Sequence, residues 1–106
     1  VYLPRKNYLN WVCSMIVRYF AYYRKDTGLK EEKFLLEPLT ALELLVTLSE
    51  RHGETMRSQL LSPDGKEIHP DVIFLIDGRN IDFMNGKDSL IQKDSVVSLF
   101  PRIAGG

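Results

Sequence analysis

Short apolar runs and polar punctuation alternate along the chain, and one long helical repeat interrupts them near the middle. Residues 16–23 are rich in β-branched and aromatic side chains (Ile16, Val17, Tyr19, Phe20, Tyr22, Tyr23), which suit a half-buried pleated surface. The polar stretch Arg24-Lys25-Asp26-Thr27-Gly28 reads as a turn, and residues 33–37 carry a second apolar run, Phe34-Leu35-Leu36. Two strands joined by a polar turn predict a hairpin.

The helix signal comes next. Thr40 and Glu43 have the spacing of a capping box, in which each side chain satisfies a backbone N–H that the first turn leaves orphaned. Ala41, Leu44, Leu45, Leu48 and His52 fall on one helical face, and Gly53 suits the position just past the end. Met56, Leu60 and Leu61 predict a second, shorter helical segment, stopped by the turn Ser62-Pro63-Asp64-Gly65. The unbroken apolar run from Val72 to Ile76 predicts a central strand covered on both faces or nearly so. Asp77-Gly78 predicts a tight turn, Ile81 and Phe83 the start of a short strand, and Asn85-Gly86 another turn. Residues 95–100 form the last strand, with Pro101 as its stop.

The order is β-β-α-β-(β)-β, which implies an α+β domain with a mixed sheet packed on one main helix. The simplest such arrangement, the β-grasp, sets the first and last strands side by side. Strand parity then turns Val17, Tyr19 and Ala21 inward, with Arg18, Phe20 and Tyr22 outward. On the last strand Val97 and Leu99 face the core, and Ser98 and Phe100 face out. Phe20 and Phe100 are thus expected to share an exposed apolar patch.

Composition narrows the function. One domain accounts for 106 residues, of which 44% are hydrophobic and 26% charged, the balance of a globular chain. Fourteen basic and fourteen acidic residues cancel, which argues against nucleic-acid binding by bulk electrostatics. The lone Cys13 cannot form an internal disulfide, no apolar run approaches a bilayer span, and a cytoplasmic location is expected. Residues 1–14 read as an N-terminal extension, either a flexible leader or a segment that packs through Trp11; the domain proper spans 15–106. His52 and His69 lack companions at metal-ligand spacing, so no metal is expected, and His52 suits the helix end. No acid–base pair stands out, and nothing argues for an independent enzyme.

The tail remains. A terminal Gly-Gly arises by chance in roughly one chain in 200 at average glycine usage. Here it ends an arm, Arg102-Ile103-Ala104-Gly105-Gly106, that follows a strand-stopping proline and could reach roughly 17 Å when extended. The segment Val96-Val97-Ser98-Leu99-Phe100-Pro101-Arg102-Ile103-Ala104-Gly105-Gly106 resembles the C-terminal signature of the MoaD/ThiS family, sulfur carriers of ubiquitin-like fold. Its Phe100-Pro101 step is closest to the molybdopterin-synthase small subunit. Ile16-Val17-Arg18-Tyr19-Phe20-Ala21 resembles that family's first strand, and Val72-Ile73-Phe74-Leu75-Ile76-Asp77-Gly78-Arg79 its strand-and-turn element. Asp77 in place of a common Asn, Lys93-Asp94-Ser95 in place of Asp-Gly-Asp, and Arg102 in place of a second proline depart from the pattern.

The resemblance implies a ubiquitin-like β-grasp fold and a carrier with no bound cofactor. It implies that Gly106 is adenylated by a ubiquitin-activating-like adenylyltransferase that uses ATP, then converted to a thiocarboxylate with sulfur from a persulfide donor. Gly105, Ala104, Ile103 and Arg102 would form the arm, and Phe20, Phe100 and Pro101 would contact the partner. The implied acceptor is a pterin held by the molybdopterin-synthase large subunit. Attachment of Gly106 to lysines as a protein modifier, or sulfur delivery to tRNA thiolation, thiamine or an amino acid, are alternatives with the same tail chemistry. A passive β-grasp interaction module is an alternative of another class.

Overall fold

A computed structural model describes residues 13–103. The chain forms β1 (Cys13–Tyr19), α1 (Tyr22–Thr27), β2 (Glu31–Leu36), β3 (Leu39–Thr40), α2 (Ala41–His52) and α3 (Glu54–Leu60). It continues through β4 (Val72–Ile76), β5 (Arg79–Asn80), β6 (Leu90–Ile91) and β7 (Val96–Pro101). Five strands make a sheet in the order β2-β1-β7-β4-β5, and β3 and β6 pair separately. Among the described residues only β1 and β7 run parallel; every other strand pair is antiparallel. First and last strands therefore lie side by side in a mixed sheet that grips one main helix, the β-grasp arrangement.

The inner face is apolar by strict alternation. Met15, Val17 and Tyr19 on β1, Phe34 on β2, Phe74 on β4, and Val97 and Leu99 on β7 are all buried. They meet Ala41, Leu44, Leu45 and Leu48 of α2, with Met56 and Leu60 of α3. Each buried leucine is worth about 1.5–3 kcal/mol over leaving it exposed. The capping box that opens α2 is complete: Glu43 N–H donates to Thr40 Oγ1 at 3.2 Å, and Thr40 N–H donates to Glu43 Oε1 at 2.9 Å. Asp77 (φ 51°) and Gly78 (φ 83°) make the tight β4–β5 turn, whose two positive φ angles match the twist of the hairpin.

Several boundaries differ from the sequence reading. The first strand ends at Tyr19, and Tyr22 and Tyr23 enter a helix instead of prolonging it. Buried Tyr23 anchors that helix, and Gly28 closes it in the left-handed region, so tertiary burial overrides aromatic strand propensity. The polar stretch at 24–28 is thus mostly helix, and Ala21 is exposed rather than inward. The strand β1 starts two residues before Met15, so Cys13 and Ser14 belong to the sheet, opposite Leu36 and Leu35. Residues 1–12 of the expected extension, Trp11 included, lie outside the described residues. Ile81 and Phe83 fall in a 3-10 turn, and the short strand is Arg79–Asn80.

A carboxylate enters the inner face. Glu32 on β2 is buried, accepting hydrogen bonds from the Tyr19 hydroxyl at 2.7 Å, from His52 Nε2 at 2.6 Å, and from the Arg51 guanidinium. His52, the last residue of α2, therefore ties the helix end to the sheet. Burial acts to raise the Glu32 pKa, but the hydrogen bonds from Tyr19, Arg51 and His52 outweigh it and hold the carboxyl below its ordinary range. Burial first, and Glu32 second, push the Tyr19 phenol up.

Replacing Glu32 with Ala removes the acceptor of the Tyr19 hydroxyl and of His52 Nε2, and is expected to cost about 3 kcal/mol in urea unfolding. A depressed folded pKa contributes stability above the unfolded value, near 4.3, that is lost as pH falls through the folded value. The stability gap between the native chain and Glu32→Gln should accordingly be full at pH 6–7 and narrow below about pH 4.3.

Candidate functional site

The C-terminal arm leaves the sheet from β7, a strand gripped on both sides by β1 and β4. Pro101 pairs opposite Val72 and is buried. One residue on, the Arg102 N–H donates to the Asp71 carbonyl at 2.6 Å, so the ladder holds the backbone to that point. Ile103 follows with its side chain in water, 65% exposed. Ala104, Gly105 and Gly106 lie outside the described residues. Four residues beyond the last sheet hydrogen bond span at most about 14 Å, shorter than the expected five-residue arm beginning at Arg102 would reach.

Beside this exit stand Phe20 and Phe100. Their rings stack at 4.1 Å between centroids and 10° between planes. The parallel register makes the pair: Tyr19 lies opposite Leu99, and the Phe20 N–H donates to the Leu99 carbonyl at 3.1 Å. The next residue, Ala21, has φ 53° and ψ −135°, a conformation that favours glycine. It turns the chain so that the Tyr23 N–H reaches the Phe20 carbonyl at 3.2 Å and Arg24 comes back over the stack. Arg24 Nε donates to the Tyr19 carbonyl at 2.8 Å, and its guanidinium carbon sits 5.1 Å from the centre of the Phe20 ring. Cation and ring at that separation attract.

The stack continues into a wider apolar surface. Ile73 lies opposite Phe100 and Leu75 opposite Ser98, both on the outer face of β4 and both half-buried. The 72–76 run is therefore not covered on both faces; only Val72, Phe74 and Ile76 are buried. Sequence reasoning took the run as a sign of cover on both faces or nearly so, and did not single out Ile73 and Leu75, which are half-buried on the outer face. Parity along the strand was the available signal. The expected site residues divide accordingly: Phe20 and Phe100 come together, Pro101 is enclosed beneath them in the sheet, and Arg102 and Ile103 project at the exit. Cys13 is half-buried at the start of β1 and packs against the core. His69 Nδ1 accepts the Asp71 N–H at 3.0 Å.

A family model, that of the ThiS family, matches residues 17–106, from the middle of β1 through the final glycine. The chain belongs to the ThiS family. A protein of Archaeoglobus fulgidus named as a sulfur carrier is 31% identical over 70 residues, 66% of this chain and 77% of that one. The solution structure of the HVO 2177 protein of Haloferax volcanii is similar at 27% identity and TM-score 0.75, over 91% of this chain and 89% of the other. A Pyrococcus furiosus protein named for subunit 1 of molybdopterin converting factor matches at 25% identity and TM-score 0.67, over 86% and 99% of the two chains. The ubiquitin-like β-grasp of these ThiS-type carriers is thus the fold of this chain, and its match reaches the diglycine.

In this ThiS-family chain the strained Ala21 carries the geometry of the stack. Ala21→Gly should relieve a left-handed backbone worth about 1–3 kcal/mol, less the unfolded-state entropy glycine adds, for a net gain of about 1 kcal/mol in thermal or urea unfolding. Ala21→Val should lose at least as much.

Proposed function

We propose that this ThiS-family chain carries sulfur as a thiocarboxylate on Gly106 and delivers it to molybdopterin biosynthesis in the cytoplasm. The observation that carries the reading is the exit: a strand held on both sides releases the backbone after Arg102, beside an aromatic stack, with Gly-Gly at its end. The Phe100-Pro101 step and the likeness to the Pyrococcus furiosus protein support the molybdopterin destination.

The chemistry follows from the carboxyl group. With an unperturbed pKa near 3.5, a C-terminal carboxylate is ionised at neutral pH and resists attack. In the proposed route its oxygen attacks the α-phosphorus of ATP on an adenylyltransferase and expels pyrophosphate. The terminal sulfur of a persulfide then displaces AMP, and a second thiol cleaves the acyl disulfide to release the thiocarboxylate. In the molybdopterin-synthase large subunit the thiocarboxylate sulfur bonds to the pterin, and water then cleaves the acyl C–S bond, leaving the sulfur on the pterin and returning Gly106 as a carboxylate. The carrier supplies no acid, base or metal; it supplies reach and a docking face.

Reach alone is costly. Ordering four arm residues in a partner's channel loses on the order of 4–8 kcal/mol of backbone entropy. Apolar surface at Phe20, Phe100, Ile73 and Leu75 can offset part of this at about 25 cal/mol per Å² buried. Glycines at the last two positions place no side chain in the channel.

The test is intact mass. Incubation with an adenylyltransferase, ATP and a persulfide donor should add about 16 Da to the C-terminal peptide, oxygen replaced by sulfur. Deleting Gly106 should abolish that gain with the unfolding midpoint unchanged. Restoration of molybdopterin synthesis in a carrier-deficient strain by the deletion variant would refute the reading. Gly-Gly remnants on lysines of other proteins, without thiocarboxylate, would assign the tail to protein modification instead.

A further inference from the structure

The aromatic stack has a charged flank that the apolar docking face does not account for. A surface cleft of about 350 Å³ is lined by Arg18, Phe20, Arg24, Lys30 and Glu31. Three cations and one carboxylate thus share one cleft, in a chain whose formal charges cancel overall. The carboxylate neutralises little: Arg18 Nε meets Glu31 Oε2 at 3.4 Å with both side chains more than half exposed, a geometry of small net attraction. Among the described residues, the Lys30 ammonium has no hydrogen-bond or ion-pair partner.

The cations are placed by the backbone. Arg18 lies opposite Glu31 in the β1–β2 ladder, and the Tyr19 N–H donates to the Lys30 carbonyl at 2.9 Å, so adjacent strands set both around Phe20. Arg24 is fixed from the third side by its bond to the Tyr19 carbonyl and its seat over the ring. An apolar floor with a cationic rim fits a carboxylate carried next to an apolar side chain. We infer that Arg18 and Lys30, flanking Arg24, form a receptor for an acidic side chain on the docking surface of the adenylyltransferase, and that this contact selects the partner. The inference rests on the sulfur-carrier reading and adds the charge of the surface that the carrier meets.

The experiment separates docking from chemistry. Binding of the cognate adenylyltransferase is measured with the chain lacking Gly106, and ATP–pyrophosphate exchange is measured with the full chain. Arg18→Glu/Lys30→Glu should weaken binding about tenfold or more, raise KM for the carrier equally, leave kcat unchanged and flatten the salt dependence. Arg18→Lys/Lys30→Arg should behave like the native chain, since charge rather than shape is in question. Both residues are exposed, and circular dichroism melts should coincide for all variants.

Equal affinity of the native and charge-reversed chains at low salt would overturn the inference. So would saturable binding of inorganic phosphate at Arg18 and Lys30 by NMR with carrier affinity unaltered, which would make the cleft a small-anion site. Normal, charge-dependent binding with no pyrophosphate exchange by the native chain would leave the docking receptor standing and sink the adenylation reading. No binding of the native chain would refute both.

Discussion

The parallel pairing of β1 with β7 is the constraint on which the rest depends. It joins the two ends of the described chain, and α2 can be gripped only because that pairing closes the sheet across it. Val17 and Tyr19 lie beside Val97 and Leu99, and all four are inaccessible to water. The outward residues of the same two strands are brought into line by the same register. Packing below and the ring stack above are therefore two faces of one alignment: a slip of one residue would move Phe20 and Phe100 apart and turn the core outward.

Much of this was legible because the signals were local and periodic. The α2 helix, with Thr40, Glu43 and a leucine stripe, agreed with itself at every level, and the Asp77-Gly78 turn needed only two residues. Alternation on β7 placed Val97, Leu99 and Phe100 on their proper faces. The failures occurred where tertiary contacts decided between alternatives that the local sequence left equal. Tyr22 and Tyr23 suit a strand, but Tyr23 is buried against the body and the chain coils to put it there. The two-residue strands β3 and β6 carry too few residues for any period to show.

The site was legible only in part for a related reason. An apolar run can mean burial on both faces or burial on one face and part exposure on the other, and composition does not distinguish them. Ile73 and Leu75 belong to the second case. The positive φ of Ala21 has no sequence signature, because alanine, unlike glycine, does not mark such a position. Family membership, by contrast, was written in the terminal residues and in the motifs of β1 and β4.

Glu32 has a consequence beyond holding the end of α2. Among the described residues strand β2 is an edge of the sheet, the place where a foreign strand could join and begin a chain of copies. A carboxylate aimed inward from that edge, with Lys33 aimed outward, makes the strand intolerant of any frame but its own: displaced by one position, it would push an ammonium into hydrocarbon and leave Phe34 wet. This ThiS-family fold is thus also built to resist sticking to itself.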